Sequence, residues 1–209
     1  MTAAHAAWRV EVGTVVVPCP GETRAADRAW VRTFPGATII VVLDVAGHGS
    51  RAASAAEAVA NAAATWTDAA PDAWLFQLDR ALRGSQGAVA AVARFDTRAG
   101  ALDVASVGNV CCIWFGNRAR SFENCDGLLG VVMPTVRAAQ VPFEAGARLV
   151  MLSDGVRSAA QRELAGSVFQ ASPGVLAHDI VARHQRRHDD ATCVVASVNR
   201  LLPPAVIPC

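Results

Sequence analysis

The 209-residue sequence has no lysine, so all 19 of its basic side chains are arginines. Nucleotide composition explains that bias as readily as function does, and nothing further is read from it. Long apolar runs are also missing. Hydrophobic residues make up 53% of the chain, but alanine tracts such as Ala52 to Ala64 supply much of that. The strongest apolar run, Ala37 to Leu43, is far shorter than the roughly 20 residues a membrane-spanning helix needs. The opening MTAAHAAWRVEVG lacks a basic start followed by an apolar stretch and a small-residue cleavage site, so a soluble, cytoplasmic protein is expected. An excess of charge of one sign is lacking too: the net charge is +1 and the arginines are scattered. Nucleic acid and anionic membrane are therefore not expected partners. Six cysteines include no CxxC pair and no spacing that suits zinc or a small disulfide scaffold, which leaves reduced, mostly buried thiols. Cys111 and Cys112 are neighbours in an extended segment and point to opposite faces, so they are poorly placed to share one ion. No GxxxxGK[ST] loop is present, which argues against nucleotide hydrolysis of the P-loop kind. No GxSxG elbow is present either, so Ser153 beside Asp154 does not read as part of a hydrolase triad.

What is present is a regular alternation of valine-rich runs and turn residues. Trp8 to Val17 reads as a strand closed by Pro18, Pro20 and Gly21. Ala29 to Phe34 and Ala37 to Val45 flank Pro35-Gly36 and read as an antiparallel hairpin. The alanine-dominated Ser50 to Thr67 reads as a long helix with Ser50 available as its cap. Pro71 to Arg83 carries Trp74, Leu75, Leu78 and Leu82 at helical spacing, with Gly84 at its end. Ala88 to Phe95, Ala101 to Val107 and Val110 to Phe115 read as a meander, and Arg148 to Ser153 as a buried strand. Val156 to Leu164 and Val175 to His184 read as helices, and Ala191 to Val198 as a closing strand. About eight strands with helices clustered in pairs predict an α+β sandwich of antiparallel sheets rather than a parallel sheet. Residues 1–200 are expected to form a single domain and 201–209 an irregular tail, because its prolines disfavour any regular element.

Three acidic positions share one setting. Asp44 ends TIIVVLD, Asp154 ends RLVMLSD before Gly155, and Asp189-Asp190 precede ATCVVASV. One Asp beside Gly is ordinarily a turn or a helix cap. Three at strand ends, gathered at one rim of a sheet, would repel strongly unless a cation neutralised them. A carboxylate set without His or Cys favours a hard ion, Mg²⁺ or Mn²⁺, over zinc.

These segments resemble the metal-dependent protein phosphatase 2C superfamily in its bacterial SpoIIE-like branch. PGETRAADRAW is similar to that branch's early Gly-Glu-Thr and aspartate signature, DVAGHG to its central metal-binding turn, SDG to its third motif and DDAT to its last, all in the family's order. SVGNV and the Gly130-Val131 region resemble the middle of small stressosome phosphatases of the RsbX type. The resemblance implies a PP2C-like sandwich of two antiparallel β-sheets flanked by pairs of α-helices. It implies two Mn²⁺ or Mg²⁺ ions, with Asp44 bridging them, the Val45 carbonyl and Asp27 on one ion, and Asp154 and Asp189 on the other. Gly155 and Asp190 would stand behind these ligands. The choice between Asp189 and Asp190 is open by one residue, with Asp189 preferred because the first acidic residue of the pair aligns with the family's ligand. Ala26 stands where the branch usually has glycine before Asp27, so either the backbone there is narrowed or Glu22 contributes instead.

The activity implied is hydrolysis of phosphoserine or phosphothreonine on a signalling protein, plausibly a STAS-domain or stressosome component. Two cations about 3.5–4 Å apart lower the pKa of a shared water and clamp the phosphate for in-line attack, so no protein nucleophile is required. His48, the one histidine inside a motif, is either the general acid that protonates the leaving oxygen or a residue that holds the turn between Gly47 and Gly49. His178, His184 and His188, with Arg183, Arg186 and Arg187, read first as a solvated face and second as a basic edge beside Asp189 for an acidic partner. The competing reading for the whole chain is a catalytically silent binding module that keeps the fold.

Overall fold

Branched residues stand well on a pleated surface, and the valine-, isoleucine- and alanine-rich runs form ten strands in the computed structural model, which describes residues 8–47 and 49–201. In chain order, β1 (Trp8–Val17), β2 (Arg28–Phe34) and β3 (Ala37–Val45) precede α1 (Ser50–Ala63) and α2 (Pro71–Leu82). Next come β4 (Ala88–Asp96), β5 (Ala101–Val107), β6 (Cys111–Phe115), β7 (Ala119–Ser121), β8 (Ala139–Pro142) and β9 (Arg148–Leu152). The chain closes with α3 (Ala159–Ser167), α4 (Pro173–His184) and β10 (Ala191–Arg200). Among the described residues no helix is long and apolar enough to cross a membrane.

The strands form two five-stranded sheets, ordered β1-β10-β9-β6-β7 and β2-β3-β4-β5-β8, in which all neighbours pair antiparallel. Period-2 alternation then divides each central strand between two cores. In β3, Ile39, Val41 and Leu43 pack with Trp74, Leu75 and Leu78 of α2 and with the alanines of α1. Ile40 and Val42 face the other way and meet Cys112, Met151 and Val194 of the opposite sheet. A third core joins Val150, Cys193 and Val195 to Leu164, Leu176 and Ile180 of α3 and α4. The result is the expected α+β sandwich of two antiparallel sheets with a helix pair on each outer face.

Several local expectations need correction. The first helix ends at Ala63 rather than Thr67. Its last turn tightens as the Thr65 and Trp66 amides donate to Ala62 and Ala63, and Trp66 turns back to meet Trp74 edge-on at 4.9 Å. Gly49, not Ser50, occupies its N-cap position. The third helix begins at Ala159, because Val156 forms a β-bridge with Gln185 instead of a helical turn. Finally, two strands join the expected eight: β7, exposed throughout, and β8, with one buried residue, Val141. Cys112 lies in the inter-sheet core and Cys111 against the α3–α4 layer, opposite faces as their adjacency requires. The expected tail, apart from Leu201, lies outside the described residues.

Candidate metal centre at the sheet rim

Register and parity bring the acidic residues together. The β2–β3 pairing sets Arg28 opposite Leu43, so continuing it by one residue places Asp27 beside Asp44. Asp44 shares the parity of Ile40 and Val42, which point between the sheets, so its carboxyl projects into the seam at the rim. From the second sheet, β9 ends at Leu152 just before Asp154, and β10 begins at Ala191 just after Asp189 and Asp190. Asp44, Val45, Gly47, Asn109, Asp154 and Asp189 line one open cleft of about 260 Å³. Val45 turns its side chain into the helix-facing core while lining this cleft. His48 lies outside the described residues.

The two members of the Asp189-Asp190 pair have different surroundings. Asp190 is buried, and its carboxylate accepts backbone N–H bonds from Cys19 (2.6 Å), Ala26 (2.5 Å) and Asp27 (3.3 Å), which ties the segment before β2 to β10. Asp189 is left to face the cleft. Asp27 is also buried, and its Oδ2 accepts the Thr192 hydroxyl at 2.8 Å. Ala26 fits without strain: no non-glycine residue among those described has positive φ, and its methyl is buried in the helix-facing core. Glycine is therefore not required there, and Glu22 is an exposed residue near the start of α1. Ser153 is buried as a strut rather than a nucleophile, with its Oγ accepting the Thr192 amide at 2.9 Å.

Two features of the rim were not legible in the sequence. Asn109, in the β5–β6 turn, donates from Nδ2 to Asp154 Oδ2 at 2.9 Å. An exposed Asn after Gly reads as an ordinary turn residue, and only the fold carries it to Asp154. The Gly108 before it has φ +90°, and a Cβ there would lie 2.1 Å from Val89 Cγ1, so the turn needs glycine. The basic cluster near the last helix is also more committed than its composition suggests. Arg183 and His184 both pair with Glu163 of α3, leaving Arg186, Arg187 and His188 in an exposed turn.

The carboxyls affect one another strongly. Burial, then the nearby Asp27, Asp154 and Asp189, push Asp44 up to about 9. Burial raises Asp27 to about 7 despite bonds from Ser153 and Thr192 that favour its anion. Asp189 is raised by burial and by Asp154. Among the described residues no three of these side chains close around a common point. The rim is instead an open, all-oxygen donor set whose members resist ionising side by side, and such a set fits hard divalent cations. Asp44, Asp154 and Asp189 reach the cleft and could hold them there, while Asp27, buried beside Asp44, does not line it.

These shifts have a stability consequence when divalent ions are withheld. The folded protein keeps protons on Asp44 and Asp27 at pH values where the unfolded chain, with carboxyls near 4, has released them. Stability should therefore fall as pH rises above about 4, more steeply up to about 7, where Asp27 ionises in the fold, and less steeply from there to about 9, where Asp44 does. Thermal melts in excess chelator should show Tm dropping by roughly 5 °C or more from pH 5 to pH 9. Asp44→Asn should flatten the upper part of the slope, and a Tm that rose over this range would contradict the burial of these groups.

The family model described as Stage II sporulation protein E (SpoIIE) matches residues 35–199. No curated protein sequence matches. Among solved structures, a chain from work on the bacterial stressosome as a modular system controlling secondary messenger signalling superposes with a TM-score of 0.82 at 29% identity. That match covers 90% of this chain and 99% of the other. RsbX in complex with magnesium superposes with a TM-score of 0.78 at 18% identity, over 92% of this chain and 100% of that one. The Mycobacterium tuberculosis serine/threonine phosphatase PstP/Ppp gives 0.69 at 16% identity, over 91% and 99%.

Proposed function

This chain belongs to the SpoIIE family, within the PP2C-like fold, and from that premise we propose that it is a Mn²⁺- or Mg²⁺-dependent serine/threonine protein phosphatase. The observation that carries the proposal is the rim, where Asp27, Asp44, Asp154 and Asp189 arrive from four separate segments and two sheets. Asp44 interacts with all three of the others, with Asp27 beside it on its own sheet and with Asp154 and Asp189 at strand ends of the opposite sheet. That position suits a bridging ligand, with Asp27 and the Val45 carbonyl toward one ion and Asp154 and Asp189 toward the other. Two divalent ions bound there would supply an activated water and a clamp for the phosphoryl oxygens.

The remaining chemistry belongs to the chain. Asp190, held by three backbone amides, keeps the Asp27 segment against β10 so that Asp27 cannot swing away. Asn109 orients the Asp154 carboxylate and leaves its second oxygen for a ligand. With Ser153 buried in its strut, attack on phosphorus by water needs no covalent intermediate on the protein. Likeness to a stressosome chain and to RsbX supports a phosphorylated STAS-domain or stressosome-type protein as the substrate.

The purified protein should hydrolyse p-nitrophenyl phosphate and a phosphoserine peptide with Mn²⁺ and lose the activity in excess chelator. Calorimetric titration should show two ions per chain. Metal-saturated protein inert toward phosphoproteins, or no stoichiometric ion binding, would instead make it a silent module with the phosphatase fold.

A further inference from the structure

Beside the acidic cleft lies a second and larger groove of about 480 Å³, between the start of α1 and the end of α2. Its size is that of a ligand site. The two hollows share Val45, and a Cβ on Gly47 of the cleft would lie 2.9 Å from Gln86 Oε1 of the groove, so the two adjoin. Their charges are opposite. Among the described residues the cleft is lined by three carboxylates and no base, and the groove by Arg51 and Arg83 and no acid.

These two arginines differ from their neighbours. Arg24 pairs with Glu57, Arg28 donates to the carbonyls of Ala25 and Asp27, and Arg32 donates to the Ala63 carbonyl. Arg51 is exposed and makes no ion pair among the described residues. Arg83 has 68% of its side chain exposed, reaches the buried Asp79 through one nitrogen at 3.5 Å and lines the groove. The other Asp79 oxygen accepts the Gly130 amide at 2.8 Å, which anchors the carboxylate below the groove. The floor is small, with Ala55 and Ala58, and the rim is polar, with Ser85 and Gln86. A cleft for a phosphoryl group beside a cationic groove with a polar rim selects a chain that carries further negative charge next to its phosphorylated residue.

We propose that the groove between α1 and α2 receives an acidic segment of the protein substrate, on one side of the phosphorylated residue. The proposal rests on the phosphatase reading for the identity of the neighbouring cleft and adds the sequence context of the substrate. Arg51 and Arg83 act by binding and take no part in the chemistry.

Three phosphoserine peptides test it: one with three glutamates before the phosphoserine, one with three after it, and one with glutamines at all six positions. At low salt with Mn²⁺, kcat/KM should be about tenfold higher for one acidic peptide than for the glutamine peptide, while the other acidic peptide gains little. The preference should shrink toward 1 M salt, where screening acts over about 3 Å. Arg51→Ala/Arg83→Ala should abolish it while leaving p-nitrophenyl phosphate hydrolysis unchanged, which also shows that the double variant folds. Equal kcat/KM for all three peptides, an equal gain from acid on both sides, or a preference that survives in the double variant would overturn it. If no phosphoester is hydrolysed, the catalytic reading fails by itself. Fluorescence anisotropy with the same peptides, labelled, then decides the groove: tighter binding of one acidic peptide, lost in the double variant, supports it, and equal binding sinks it.

Discussion

Asp44→Asn is expected to lower phosphomonoester hydrolysis by about a thousandfold or more, with Mn²⁺ at saturation. The substitution keeps the shape of the side chain and removes only its charge, at the position where the two sheets' acidic contributions meet. A bridging ligand would not be replaced by its neighbours, because Asp27 is already bonded to Thr192 of the opposite sheet and Asp154 to Asn109. The same substitution should stabilise the metal-free fold at pH 8, since it deletes a carboxyl that burial and three neighbouring acids penalise when ionised. Activity and stability should therefore move in opposite directions. A variant that lost activity by unfolding would move both down, and one that kept a tenth of the wild-type rate would remove Asp44 from the centre of the site.

Much of this arrangement could be read from the sequence because its signals are local and repeated. Apolar runs cut by Gly and Pro gave β1, β3 and β5 their observed limits, and the alternation of Ile39 to Val42 between two cores is the period-2 pattern of a strand buried on both faces. β7 and β8 carried no such signal. They are short edge strands with a single buried side chain between them, so pairing with β6 and β5, rather than burial, makes them strands. The rim shows the same division. That several Asp residues end strands is visible in the chain, but the separate surroundings of Asp189 and Asp190 depend on amides from residues 19, 26 and 27, more than 160 positions away. Ala26 illustrates the opposite error. As a departure from a motif it suggested a narrowed backbone or Glu22 as a substitute ligand, yet the backbone there needs no glycine.

The motif glycine at 155, by contrast, is demanded by the structure. A Cβ on Gly155 would lie 1.6 Å from the Asp190 carbonyl oxygen, 2.7 Å from its carbon and 3.3 Å from Ala191 Cα, all backbone atoms that no side-chain rotation can move aside. This close approach is what sets Asp154 beside Asp189. It is fastened by the Ser153 amide to the Thr192 carbonyl (3.0 Å), the Thr192 amide to Ser153 Oγ (2.9 Å) and the Arg186 amide to the Gly155 carbonyl (2.7 Å). Gly155→Ala must push residues 189–191 away and stretch these bonds, each worth about 1 kcal/mol in a buried setting. The expected loss is about 3 kcal/mol or more, a fall in Tm of roughly 10 °C. Because Asp154 and Asp189 would also part, Mn²⁺ affinity should weaken by at least about tenfold in calorimetric titration at a temperature where the variant is folded. Gly166→Ala serves as the control. It lies within α3 with no atom within 4 Å of an added Cβ, and alanine there should be neutral or stabilising by about 0.5–1 kcal/mol. If Gly155→Ala melts within 2–3 °C of wild type, less than about 1 kcal/mol for a chain of this size, the contact between the SDG turn and the DDAT segment is not what holds the rim together.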